Sequence, residues 1–148
     1  MLDKAQFLAV FGNYSLMYFD PTWTYLVPDV RWFPRYYAAT NIAQGLVDGA
    51  PAPWLRGAVV SAFTDGARLE LTSVPRQSNV AQVTLQDGAR SLDQTALNRM
   101  QTQLEASLDV PGITSVDMLL PGGQQLTAQR VDVRSTAVAA NPLVRTDD

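Results

Sequence analysis

The chain of 148 residues predicts an α+β fold, in which a curved, largely antiparallel sheet carries two main helices packed on one face. Short segments that alternate between apolar and polar residues predict the strands, and prolines and glycines separate them. Two longer segments, residues 34–48 and 91–109, have apolar residues three and four positions apart, which predicts the helices. Hydrophobic residues make up 47% of the chain and charged residues 17%, which is enough apolar material for a core.

The first part of the chain predicts strands that are rich in aromatic residues. The predicted elements are a strand over residues 14–19, a turn over 20–22, a returning strand over 23–27 and a short edge segment over 29–33. Pro21 presets its own φ for the turn, and Trp23 begins the returning strand. Pro28 and Pro34 bracket the edge segment, because proline is tolerated at sheet edges. Residues 5–11 fit either a helical turn or a strand.

The rest of the chain predicts alternating helices and strands. The predicted elements are helices over 34–48 and 53–62, a turn at 65–66, strands over 68–73 and 80–85, a helix over 91–109, and strands over 113–120 and 124–133. The strands over 68–73 and 80–85 are expected to form an antiparallel pair.

The helix over 91–109 has the clearest pattern. Ser91 and Gln94 have the spacing of a capping box, in which each side chain accepts a hydrogen bond from a free backbone N–H. The apolar stripe predicted to face the core consists of Leu97, Met100, Leu104 and Leu108. The polar residues predicted to face away from it are Arg99, Gln101, Gln103 and Glu105.

The predicted domain occupies residues 14–133. Residues 1–13 are interpreted as a lead-in, and 134–148 as a linker towards a further domain that the chain does not contain. No run of residues approaches the roughly 20 apolar residues of a membrane span, and the first residues lack the pattern of a signal peptide.

The chain contains no histidine and no cysteine, and this limits its chemistry. A Ser-His-Asp triad, thiolate catalysis and cysteine-based zinc sites are all excluded. The aspartates fall on different predicted elements, so nothing in the sequence pairs two carboxylates for hydrolysis. We therefore predict no catalytic residue, no metal ligand, no cofactor and no enzymatic activity.

The net charge of −3 and the scattered arginines argue against a nucleic-acid partner. Phosphate binding needs a concentrated basic face, and this chain has a single lysine.

Eleven of the thirteen aromatic residues lie between Phe7 and Tyr37, and this segment contains the main candidate binding site. The candidate binding residues are Trp32, Phe33, Arg35, Tyr36 and, from a later loop, Trp54. Tryptophan, tyrosine and arginine dominate binding hot spots. The competing interpretation, favoured by residue statistics, is that these aromatics cap the sheet and fill the core, and that Trp54 pins the second helix to the body.

In order and spacing, several stretches resemble the GerMN domain, named for spore germination, as it occurs in the LpqB family of actinobacterial lipoproteins. The matching stretches are residues 17–21, 25–34, 38–47, 49–55, 63–66 and 110–116, followed by 134–136 and 141–144. No single stretch is catalytic or diagnostic by itself.

The resemblance implies an exported domain, held at the outer face of the cytoplasmic membrane by a lipidated cysteine and followed by a β-propeller. It also implies a link to the extracytoplasmic region of a sensor histidine kinase. This chain contains neither the lipid-bearing cysteine nor the propeller.

The function expected from these observations is protein–protein interaction or assembly, with the propeller or the kinase as partner and the segment 32–37 as the contact. The alternative is a module that binds cell-wall glycan or peptide through the same aromatic residues. A hydrolase with two facing carboxylates is the least favoured hypothesis. An exposed row of rings beside a groove would favour glycan, and a flat patch would favour protein.

Overall fold

The computed structural model describes residues 3, 6, 10–63, 67–71, 73–131 and 133–135. The strands are β1 (Phe11–Phe19), β2 (Tyr25–Pro34), β3 (Arg76–Gln77), β4 (Val80–Thr84), β5 (Ser115–Leu119), β6 (Gln125–Leu126) and β7 (Arg134–Ser135). The main helices are α1 (Ala38–Ala43) and α2 (Gln94–Ser107). The α+β class is confirmed, with the strands divided between a sheet of order β1-β2-β7 and a sheet of order β3-β4-β5-β6.

Strands β1 and β2 form a long antiparallel ribbon that confirms the predicted first strand. The predicted separate edge segment is wrong, because β2 runs without a break through Pro28 to Pro34. Phe19 exchanges both backbone hydrogen bonds with Val60, on the side of β1 away from β2. Phe19 and its partner Leu26 are therefore a non-hydrogen-bonded pair. Pro28 and Pro34 lie an even number of residues from Leu26 along β2, so each of them also belongs to a non-hydrogen-bonded pair. Neither proline removes a bond from the β1–β2 ladder.

Trp23 lies in the turn between the strands, so its assignment to the returning strand is wrong. Its φ is 63°, a left-handed conformation that closes the turn. The Asp20 carboxylate holds this conformation by accepting hydrogen bonds from the backbone N–H groups of Thr24 and Tyr25, at 2.9 and 2.8 Å.

The predicted helix over 34–48 is confirmed as one continuous helical segment. A 3-10 turn (Arg35–Tyr37) precedes α1, and a π turn (Gln44–Asp48) follows it. A Cβ on Gly45 would lie 2.9 Å from Leu16 Cδ2, so a larger residue here would force the buried Leu16 side chain to shift.

The predicted second helix over 53–62 is wrong beyond its first turn. A 3-10 turn covers Pro53–Leu55, and Gly57 then adopts a φ of 88° that no helix contains. Val60 pairs with Phe19 at the free edge of β1 instead. This pairing is energetically favourable because it satisfies backbone groups that the edge would otherwise leave open.

The second sheet is mixed. Strand β4 confirms the predicted strand over 80–85, and it pairs in parallel with β5, which confirms the predicted strand over 113–120. The expected antiparallel neighbour of β4 is reduced to a single bridge between Leu69 and Leu85, next to the short β3. The predicted last strand is wrong over most of its length, because it consists of β6 alone. Within the predicted linker, β7 pairs in parallel with β2.

Helix α2 confirms the predicted apolar stripe, but two details are wrong. Its N-cap is Asp93, whose carboxylate accepts a hydrogen bond from Ala96 N at 2.8 Å, whereas Ser91 lies in a preceding 3-10 turn. Gln101 and Gln103 are buried instead of facing away, because other segments cover the helix on more than one side.

The predicted turn at residues 65–66 and the predicted linker beyond residue 135 lie outside the described residues, as does most of the segment 5–11. Among the described residues, no helix has the length and apolar character needed to cross a bilayer.

Candidate functional site

The candidate residues are largely at the surface. The exposed fractions are 48% for Trp32, 86% for Tyr36, 60% for Tyr37 and 74% for Trp54. Arg35 is also exposed. The core-filling interpretation is therefore correct only for Phe33, which is partly buried and stacks on Tyr14 with ring centroids 6.4 Å apart.

The alternation of β2 separates Trp32 from its neighbour Phe33. Asp29, Arg31 and Phe33 point to the face that the π turn Gln44–Asp48 covers, since a Cβ on Gly45 would lie 3.4 Å from Arg31 Nη1 and 3.9 Å from Phe33 Cζ. Trp32 points to the opposite face, together with the exposed Val30. The ribbon thus presents an apolar pair to solvent at one end of this face, whereas Leu26, on the same face, is buried.

The 3-10 turn after β2 presents two tyrosines side by side. Pro34 ends β2 with a φ of −57°, and the chain turns at once into the helical segment. No residue of the turn Arg35–Tyr37 is buried. The rings of Tyr36 and Tyr37 meet edge to face with centroids 4.8 Å apart, an arrangement that aromatic quadrupoles favour.

Trp54 is carried by a loop that an ion pair with a buried carboxylate fastens to β2. Asp29 is 2% exposed and accepts hydrogen bonds from Arg31 Nη2 at 2.8 Å and from Ala52 N at 2.9 Å. Arg31 Nη2 also donates to Ala50 O at 2.6 Å. The prediction that Trp54 pins its turn to the body is wrong, because these bonds and the buried Leu55 hold the loop.

Tyr18 lies close to this ion pair and is fully buried. Burial raises the pKa of its hydroxyl above the ordinary value of 10, while the positive charge of Arg31 opposes that rise. Among the described residues, none forms a hydrogen bond of full geometry with this hydroxyl, although Arg31 is near enough to affect its pKa.

A groove of about 530 Å³ runs beside the 3-10 turn, and we call it the tyrosine groove. Its defining residues are Tyr14, Arg35, Tyr36, Tyr37 and Arg76. Val74, Val110 and Pro111 complete its apolar wall. Tyr14 and Arg76 could not be identified from the sequence, because their strands meet the turn only through the tertiary fold.

A second groove, of about 660 Å³, lies between β1 and the C-terminal half of α2. It has mixed charge, with Glu105 and Asp109 beside Arg130, whose Nη1 lies 3.6 Å from Glu105 Oε1. No group of three or more carboxylates that could hold a metal ion occurs among the described residues.

The comparisons with known proteins agree on one family. A family model described as Germane, sporulation and spore germination, matches residues 15–127. Lipoprotein LpqB of Rhodococcus opacus (strain B4) is 32% identical over 105 residues, which are 70% of this chain and 17% of that protein. Lipoprotein LpqB of Bifidobacterium longum (strain NCC 2705) is 28% identical over 94 residues, 64% of this chain and 16% of that protein. The chain thus spans about a sixth of the length of these relatives.

A solved structure, the tandem GerMN domains of the sporulation protein GerM from Bacillus subtilis, has a similar fold with a TM-score of 0.55. The match covers 91% of this chain and 49% of that chain at 13% sequence identity, so it concerns the fold alone.

Proposed function

The chain belongs to the Germane (GerMN) family of sporulation and spore germination domains, and from this premise we propose that it is a non-enzymatic interaction domain of an extracytoplasmic lipoprotein. Lipoproteins named LpqB supply the support for this location, since they share 28–32% identity with the chain. In this proposal the lipid anchor belongs to the rest of a longer protein.

The observation that carries the proposal is the exposure of large aromatic side chains. Trp32, Tyr36 and Tyr37 lie within six residues of one another, and each exposes about half of its surface or more. Exposed tryptophan and tyrosine offer a large contact area at a small cost in rotamer entropy, and this makes them frequent anchors of interfaces. Trp32 lies beside the exposed Val30, and this apolar pair forms the docking surface that we propose.

The proposed partner of this surface is a protein. Trp32 would contact either the β-propeller of the same lipoprotein or the extracytoplasmic region of a sensor histidine kinase. Contact by surface complementarity needs no catalytic group, which agrees with a chain that lacks both histidine and cysteine.

Site-specific photocrosslinking tests the proposal. A photoreactive phenylalanine analogue replaces Trp32 in the full-length lipoprotein, and irradiated cell envelopes are analysed by mass spectrometry. The control position is Leu71, which is 50% exposed and belongs to a different part of the molecule. We expect a defined adduct, within the lipoprotein or to a kinase, from position 32 and none from position 71. Equal, diffuse labelling from both positions would refute the docking surface.

A further inference from the structure

The edge of β1 that faces away from β2 is covered over its C-terminal part. Phe19 exchanges two backbone hydrogen bonds with Val60 there, at 3.0 and 2.7 Å, and the two residues pair as antiparallel strands do. Two residues earlier, Met17 N donates to Ser107 Oγ of α2 at 2.8 Å. This edge of β1 therefore accepts an added strand segment at Phe19, and α2 covers it at Met17.

The N-terminal part of the same edge is open. Asn13 and Ser15 lie an even number of residues from Met17, so their backbone N–H and C=O groups also point away from β2. Among the described residues, none forms a hydrogen bond with these groups. Asn13 is exposed, and Ser15 is partly exposed. The edge thus presents two donors and two acceptors at the regular spacing of a strand.

This open edge forms one wall of the groove between β1 and the C-terminal half of α2, which we call the edge groove. Asn13 and Ser15 line it, and its other walls include Ala106, Ser107 and Thr114. These side chains are all short, so they leave room close to the backbone of β1. The groove has a volume of about 660 Å³, and an extended chain needs such a space beside a strand edge.

The charges of the edge groove indicate which side chain the added segment carries. Among the described residues that line it, Glu105 and Asp109 are acidic and Arg130 is basic, with Arg130 Nη1 lying 3.6 Å from Glu105 Oε1. Asp109 is exposed and follows the end of α2, whose last turn contains no basic residue. The carbonyls at a helix C-terminus carry partial negative charge, and Asp109 adds to it. This end of the groove therefore attracts a cation.

We propose that the edge groove binds an extended peptide segment of a partner protein, which adds to β1 as an antiparallel strand and places a basic side chain beside Asp109. Peptide residues opposite Asn13 and Ser15 each exchange two hydrogen bonds with β1, as Val60 does with Phe19. This inference goes beyond the docking surface at Trp32, because it uses the backbone of β1 and the end of α2. Each proposal can fail without the other.

Hydrogen exchange of the 148-residue chain first tests whether the edge is open. The amides of Asn13 and Ser15 should exchange rapidly in the free chain. The amides of Tyr14 and Leu16 should be protected, because they point to β2 and belong to its ladder. The contrast between adjacent residues is the internal control, since local opening of the strand would expose all four amides together.

Peptides then test the binding itself. The probe is a synthetic library of heptapeptides with lysine fixed at the fourth position, and its comparison is a library with glutamate there. Affinity selection on the chain should enrich members of the lysine library. The most enriched peptide should slow exchange at Asn13 and Ser15 at saturation. N-methylation of every second peptide nitrogen should weaken binding about fivefold per site, whereas methylation of the nitrogens between them should have little effect.

Variants separate the backbone of the edge from its side chains. Ser15→Pro removes the N–H that points into the groove and should weaken binding at least about tenfold, whereas Ser15→Ala keeps that N–H and should leave binding unchanged. Asp109→Asn should weaken binding about threefold, and the exposed control Asp87→Asn should not affect it. Circular dichroism checks folding, and the N-methylated peptides supply the same test if Ser15→Pro does not fold.

Four results would overturn the inference. They are protected amides at Asn13 and Ser15 in the free chain, no enrichment of the lysine library over the glutamate library, no alternation in the effect of N-methylation, or equal binding by the folded Ser15→Pro and Ser15→Ala variants. A dimer of the chain that Ser15→Pro dissociates would assign the edge to a second copy instead. A crosslink from position 32 combined with any of these would keep the docking surface and reject the strand site.

Discussion

The turn after β2 and the centre of α2 differ in what they bury. In the turn, Tyr36 is 86% exposed, and across the ribbon Trp32 is 48% exposed. In the helix, the polar residues Thr102 and Gln103 are completely buried. Residue type alone would have reversed this distribution. Burial therefore follows the number of segments that cover an element, and a covered polar side chain must find a hydrogen-bond partner there.

Helix α2 satisfies that requirement by bonding four other segments. Ser107 Oγ accepts from Met17 N at 2.8 Å, and Gln103 Oε1 accepts from Ala62 N at 2.9 Å. Gln101 Nε2 donates to Val116 O at 2.6 Å, and Thr102 Oγ1 accepts from Val131 N at 2.7 Å. The turn after β2 has no covering segment among the described residues, so its rings remain available for binding.

The largest expected effect comes from the one buried carboxylate of the aromatic ribbon. Asp29→Ala should lower the free energy of unfolding by about 3 kcal/mol, because Arg31 and Ala52 N lose their acceptor in a buried place. The matched control is Asp87→Ala, which breaks the exposed pair with Arg90 and should cost less than about 0.5 kcal/mol. Urea unfolding measures both, and equal losses would contradict the assigned role of Asp29.

The next largest effect tests the buried polar residues of α2. Gln103→Ala should lower the free energy of unfolding by about 2 kcal/mol, because the buried N–H of Ala62 loses its partner. Hydrogen exchange at Ala62 should accelerate, whereas Gln125→Ala on an exposed strand should leave it unchanged. Unchanged exchange at Ala62 in the Gln103 variant would show that the bond contributes nothing.

The local patterns of the sequence predicted much of the fold. The 3–4 spacing of Leu97, Met100 and Leu104 identified α2, because a helix forms from neighbouring residues. Burial of Gln103 could not be predicted, since its partner Ala62 is 41 residues away. The same limit explains Val60, whose place is set by the free edge of β1 and not by its own neighbours.

The sequence identified candidate residues by their type, but it did not show where they lie or which other residues join them. Trp32 and Tyr36 were identified by their type, but the choice between core and surface depends on which segments cover them. Arg76 lies about 40 positions further along the chain, and only the approach of β3 to the turn brings it into the groove. The exposure of Trp54 follows from the ion pair at Asp29, which no local pattern shows.

A smaller effect compares two neighbours of the aromatic segment. Tyr36→Ala should change the free energy of unfolding by less than about 1 kcal/mol, because the ring already faces water and loses mainly its contact with Tyr37. Phe33→Ala should cost about 1–2 kcal/mol, since that ring packs on Tyr14 beside the π turn Gln44–Asp48. Thermal and urea unfolding of the two variants decide the order, and a larger loss for Tyr36→Ala would place its ring in the core.

The smallest effect concerns Asp20, whose carboxylate at the surface holds the backbone of the hairpin tip in place. The Thr22 hydroxyl and the backbone N–H of Tyr25 donate to Asp20 and lower the pKa of its carboxyl from 3.8 to about 2. Because the folded pKa is depressed, the carboxylate stabilises the hairpin tip fully above pH 3.8, and this contribution is lost as the pH falls through about 2.

Amide shifts of Thr24 and Tyr25 should follow that titration in NMR spectra, and Asp20→Asn should abolish it. Global unfolding should hardly change over this range on account of Asp20, since water can replace each partner of a group at the surface. If the amide shifts instead followed a midpoint near 3.8, the left-handed turn at Trp23 would have to be held by something other than Asp20.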